Sequence, residues 1–187
     1  MWKNFLRFVL IFALLALPWP GVKAFSSAYF CILGRIVFGQ TGGPREVQFA
    51  DRNPGNPGEV RATIINWRLM GAGGSGPVRN VDLPPFGLLW RPMALLAALV
   101  LATPATWRRR TLALLLGTTV IHVWCFLTLG FILWSESRHV ALASLDASGA
   151  EIADWAQRVM VFQLSLAVPA VAWLMIFRPF KGQPSVT

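Results

Sequence analysis

Residues 107–134 read WRRRTLALLLGTTVIHVWCFLTLGFILW. After Thr111 this stretch holds no acidic or basic side chain except His122. As a helix rising 1.5 Å per residue, residues 112–134 would reach about 35 Å, enough to cross a hydrocarbon layer of about 30 Å. Trp107 and Trp134 bracket it, as aromatics do at membrane interfaces. Arg108, Arg109 and Arg110 stand just before it, the charge pattern of a cytoplasmic membrane-flanking loop. This is the clearest of four predicted spans.

Working outward, residues 86–103 form a second apolar block, with Arg91 one turn from its start, where the side chain can snorkel to the interface. Residues 159–177 form another, closed by Arg178 and Lys181. The remaining block, 8–17, follows Lys3 and Arg7 and ends at Pro18-Trp19-Pro20. It reads either as an uncleaved first helix running from Trp2 to Trp19, the favoured reading, or as a secretory signal with a small-residue site at Val22-Lys23-Ala24. A further apolar stretch, 25–38, continues the hydrophobic path. Composition agrees with a membrane protein. Of 187 residues, 55% are apolar and 13% charged, against about 25% charged in soluble domains, and mean hydropathy is +0.55. A water-soluble globule, a disordered chain and a collagen-like chain are excluded.

All eight acids fall in two stretches: Glu46, Asp51, Glu59 and Asp82, then Glu136, Asp146, Glu151 and Asp154. The alternate loops hold bases alone. Both termini and the triple-arginine loop are therefore predicted on the cytoplasmic side of a bacterial inner membrane, with the acidic segments outside. The net charge of +9 suits anionic lipid, at about 1 kcal/mol per basic side chain near the surface. Nucleic acid is not an expected partner, because the bases are scattered.

The chain thus divides into 1–39 (first helix and apolar continuation), 40–85 (external, β-rich), 86–134 (second and third spans), 135–158 (external) and 159–187 (fourth span and tail). The fold class is an all-α transmembrane bundle of four helices with a small external antiparallel β-hairpin element. In the first external segment, Val47 and Phe49 alternate with polar residues, residues 53–58 (NPGNPG) signal a turn, residues 59–69 suit a pleated surface, and residues 78–83 suit a third strand. Ile65, Trp67 and Leu69 should touch something apolar. In the second, Ser148 and Glu151 form a capping box, starting a helix near Gly149 that runs unbroken into the fourth span. It should show Ile152 and Trp155 outside and kink at Pro169.

Chemistry is sparse. Residues 71–76 (GAGGSG) lack the ending of a phosphate loop and read as a flexible connection. His122 reads as a neutral imidazole bonded to a backbone carbonyl or to a neighbouring hydroxyl. Gly117, Ala113 and Thr118 form a small-residue patch that lets helices approach. Cys31 and Cys125 sit at different depths, so no disulfide is expected, and neither a metal site nor a cofactor is expected. Cys31, Arg91 and His139 supply the residue types of a cysteine transpeptidase-like enzyme, a weaker alternative. A transporter or channel subunit is weaker still, since His122, Gln163, Ser165, Thr118 and Thr119 are too few to line a path.

Several features occur together: the early helix ending in Pro18-Trp19-Pro20; the β-rich segment leading through Leu83-Pro84-Pro85-Phe86 into a span that closes at Leu101-Ala102-Thr103-Pro104 before a basic loop; and the external stretch entering a span with Gln163 and Pro169. The layout resembles the small integral membrane proteins associated with exosortases, the bacterial protein-sorting transpeptidases. The resemblance implies an accessory role beside such an enzyme and transfers no catalytic residue. Exosortases carry a Cys, an Arg and a His in that order; Cys31, Arg91 and His139 keep the order only. The expected function is that of a non-enzymatic accessory or assembly subunit with a membrane-protein partner.

Overall fold

The computed structural model describes residues 2–17, 19–39, 45–52, 58–71 and 76–177. The exit at 40–44, most of the turn and of the glycine run, and the tail bases Arg178 and Lys181 lie outside these. The chain is mostly helical, with a small antiparallel sheet. Helices α1 (Trp2–Ala16) and α2 (Pro20–Phe38) precede strands β1 (Arg45–Asp51), β2 (Val60–Asn66) and β3 (Val78–Leu83). A π turn, Phe86–Trp90, opens α3 (Arg91–Ala102). Then come α4 (Trp107–Glu136), a 3-10 turn Ser137–Val140, α5 (Ala147–Arg158), a π turn Val159–Leu164 and α6 (Ser165–Phe177).

Two helical stretches, Gly21–Phe38 and Trp107–Val140, are long and apolar enough to cross a membrane; α5 and α6 add a third if their bent pair counts as one span. Phe86–Ala102 is apolar but shorter, about 25 Å by helical rise. By packing, α1 lies on α3, α3 on α4 and α6, and α4 on α6. Gly117 lets α3 and α4 meet: a Cβ there would stand 2.5 Å from Leu96 Cδ2, and Ala113 beside it is fully buried. The small-residue patch is thus used inside the fold.

The apolar stretch 25–38 is a helix of its own rather than a continuation of the first. Pro20 occupies the first turn of α2, where a missing N–H costs nothing, and so restarts the helix. α1 buries none of its side chains and is tied down by Trp90 Nε1, which donates to Leu15 O at 2.9 Å.

The sheet is a three-strand meander in the order β1-β2-β3. Val47 pairs with Ile64, Phe49 with Ala62, and Ala62 with Val81; all face inward and are buried. The other face is polar, with Arg61 donating to Asp82 and Thr63 to Asn80. The sheet lies along the flank of α2. Arg35 Nε and Nη2 both donate to Phe49 O, at 3.0 and 2.8 Å, using a free carbonyl of the edge strand. Gly34 makes room: a Cβ there would lie 2.7 Å from the Phe49 ring. β2 ends at Asn66, so Trp67 and Leu69 stand in a 3-10 turn rather than on a strand.

Two further expectations are corrected. Asp146, not Ser148, caps α5, its side chain accepting from Gly149 N. Nor does the last helix run unbroken into the fourth apolar block: α5 and α6 are bent by 54°. The bend falls on the π turn and not at Pro169, which lies inside α6. The proline ring clashes with the carbonyl four residues earlier, that of Ser165, which is where the π turn ends and α6 begins. Arg109 and Arg110 also do more than flank. Arg110 Nη2 donates to Thr103 O at the end of α3, and Arg109 to Ile176 O at the end of α6, as cations do at helix C-termini.

Gly34→Ala should overpack against the Phe49 ring and cost about 1–3 kcal/mol. A thermal melt in detergent should show a lowered midpoint, whereas Gly21→Ala, where nothing lies within 4 Å, should leave it unchanged.

Candidate functional site

α4 does not stop where its apolar run stops. Beyond Trp134 come Ser135 and Glu136, then the 3-10 turn Ser137–Val140, which ends at Ala141 in the left-handed conformation (φ 56°). This projecting end is gripped from two sides. On one side is the sheet. Arg79 pairs with Ile64 across the β2–β3 ladder, so its side chain leaves the inward face, and its Nε donates to Glu136 Oε2 at 2.8 Å. Asn66, buried at the end of β2, donates from Nδ2 to Val140 O at 2.7 Å and accepts Arg68 N on Oδ1 at 3.1 Å.

On the other side is α5. Arg138, only 15% exposed, donates to Asp154 Oδ1 at 2.8 Å and to Ala150 O at 3.1 Å. Its Nε donates to His139 Nε2 at 3.2 Å, so that ring nitrogen carries the lone pair. His139 Nε2 also lies 3.8 Å from Glu136 Oε2. One short turn therefore fixes the sheet and α5 at the same place. Each ion pair joins a covered side chain, Glu136 or Arg138, to an exposed one, Arg79 or Asp154.

Four large apolar side chains ride on the two elements so fixed. Trp67 and Leu69 are 45% and 52% exposed, and Ile152 and Trp155 are both 65% exposed. Trp67 is oriented by its Nε1 donating to Glu46 Oε2. Ile65 does not join them. It is buried, because the central strand is flanked by Glu46 on β1 and Val78 on β3.

The transpeptidase-type residues do not share a hydrogen bond among the described residues. Cys31 is buried in α2 as part of the apolar core. The Arg91 guanidinium sits over the Phe86 ring at 5.4 Å. His139 belongs to the turn. His122 has the surroundings expected of a structural imidazole: Nδ1 donates to Thr118 O at 2.8 Å, and Nε2 accepts from Tyr29 Oη at 2.9 Å. A carbonyl can only accept, which sets the tautomer. Thr119 and Ser165 hydroxyls donate to carbonyls one turn back, those of Leu115 and Val161, and Thr119 lines an otherwise apolar cleft between α4 and α6.

Asn66, Arg79, Arg138 and Tyr29 were not singled out by sequence. Glu136, Arg138 and His139 are at least visible as a polar cluster directly beyond Trp134; their partners come from strands and helices far away in the chain. Comparison with protein-family models, curated proteins and solved structures gives no match.

Asn66→Ala removes a buried donor and leaves Val140 O unpaired, at a cost of about 1–3 kcal/mol; limited proteolysis should cut the sheet faster than in the parent. Asp146 offers a pH test. The Gly149 amide, then the Ser148 hydroxyl, hold its carboxyl below the usual carboxylate value. A lowered folded-state pKa contributes stability above about pH 3.9 that is lost as pH falls through the folded value. Asp146→Asn keeps a capping oxygen, so exchange of the Gly149 amide, which the cap holds, should match the parent at pH 7 and lose the parent's change as pH falls through the lowered carboxyl value.

Proposed function

We propose that this chain is a non-enzymatic integral membrane accessory or assembly subunit, a companion of an exosortase-type protein-sorting system in a bacterial inner membrane. In this reading α1 with its apolar continuation α2, then α3, α4, and α6 with the π turn before it supply the four membrane segments, both termini are cytoplasmic, and the sheet with α5 stands outside. Support comes from the bare apolar faces: Leu112, Leu115, Val120 and Leu127 of α4 are exposed, which water disfavours and lipid accepts. α4 is 30 residues long, about 45 Å, so about 15 Å of it would stand beyond the hydrocarbon.

The observation that carries the accessory role is the set Trp67, Leu69, Ile152 and Trp155, exposed on two elements pinned to one rigid turn. Clusters of exposed aromatic and aliphatic side chains on a fixed frame are how one protein anchors another. Acyl transfer is not favoured, since the thiol of Cys31 is covered.

The test is an affinity pull-down of the C-terminally tagged full chain in gentle detergent, read by mass spectrometry. The parent should bring down a larger multi-span membrane protein. Truncating one anchoring aromatic costs about 2 kcal/mol, about thirtyfold in affinity, so Trp67→Ala with Trp155→Ala should lose that partner at unchanged abundance. Undiminished recovery by the double variant would overturn the interface.

A further inference from the structure

Arg45 opens β1 and meets no answering group among the described residues. Its Nε is buried and meets no hydrogen-bond partner, and its guanidinium forms no ion pair among the described residues. All eight side-chain acids of the chain lie in the described residues, and each has a place of its own. Glu59, Asp82, Glu136 and Asp154 answer other arginines. Asp146 caps α5, and Glu46 accepts from Trp67 and Gln48. Asp51 stands at the opposite end of β1, about 20 Å away by strand rise, and Glu151 is exposed on α5.

A partly buried cation without an anion is unfavourable. Burial accordingly pulls the guanidinium below its ordinary pKa, though an arginine stays charged. Arg45 lines a cavity of about 150 Å³ together with Val37, Phe38, Val47 and Gly130. That is roughly five water volumes at about 30 Å³ each, room for a phosphate group of five heavy atoms.

Depth says which anion. Trp107 and Trp134 are about 40 Å apart along α4, the thickness of a bilayer with its headgroups. Gly130 lies one turn below Trp134, at headgroup level, and Val37 and Phe38 offer apolar surface beside the charge. We infer that this cavity binds the phosphate headgroup of an anionic membrane lipid, with Arg45 as its cationic donor and Val37 and Phe38 against the lipid below the phosphate. The inference rests on the membrane reading above.

The experiment is native mass spectrometry of the full chain in neutral detergent with phosphatidylglycerol, phosphatidylcholine or inorganic phosphate. Phosphatidylglycerol should bind in preference to both. Arg45→Gln should weaken it about tenfold, the loss of one charged hydrogen bond. Arg45→Lys should lose less, and Arg7→Gln, an equal charge change on exposed α1, should lose nothing. Gly130→Val fills the cavity without altering charge. A Cβ there meets only the Phe38 ring at 3.5 Å, so this variant should fold and bind as weakly as Arg45→Gln, and it decides the matter if Arg45→Gln does not fold.

Equal binding by parent, Arg45→Gln and Gly130→Val would overturn the site, and so would inorganic phosphate binding as tightly as the lipid. Carbonate extraction of membranes separates the two failures. A chain washed off the bilayer sinks the membrane reading, whereas a retained chain with unchanged variants sinks only the lipid site.

Discussion

The length of α4 is the constraint on which the other elements depend. A helix of 30 residues, continued by a 3-10 turn to Val140, is longer than any apolar layer a membrane offers. Its excess is polar and must be satisfied by protein. Glu136 finds Arg79, Val140 O finds Asn66, and Arg138 finds Asp154 and Ala150 O. These bonds bring together a sheet and a helix separated by more than fifty residues of sequence. A two-strand hairpin is marginal alone, and a third strand with a covered apolar face or a helix beside it is what a small sheet needs; this one has both, with α2 along its edge strand and a post at its third strand.

Close approach is the second theme. The sheet can lie against α2 because Gly34 has no side chain opposite Phe49, and α3 can lie against α4 because Gly117 has none opposite Leu96. Where backbones approach this closely, many small dispersion contacts add up. Polar groups within the bundle follow the rule that buried donors find acceptors: His122 is held by Thr118 O and Tyr29, and Trp173 Nε1 donates to Thr103 Oγ1 at 2.9 Å.

Much of the fold was legible in residue patterns. The long apolar helix after the arginines, the strand alternation around Val47 and Phe49, the apolar helix after Phe86 and the exposure of Ile152 and Trp155 all follow from periodicity and composition. The errors share one cause. The separate helix α2, the bend at the π turn, the cap at Asp146 and the burial of Ile65 depend on local alternatives of nearly equal energy, between which packing chooses. A proline can restart a helix as well as end one, Asp and Ser both make good caps, and a strand residue on the outer face is covered or bare according to its neighbours.

By itself, then, the sequence determined which segments shun water and which carry charge, because hydropathy and charge are properties of residues taken one at a time. Only the tertiary structure decided that Arg79 meets Glu136, that Asn66 meets Val140, and that Arg45 meets no anion among the described residues. Each of these is a relation between a strand and something distant in the chain. Ion pairs and hydrogen bonds are short-ranged and directional, so no pattern along one segment can announce its partner on another.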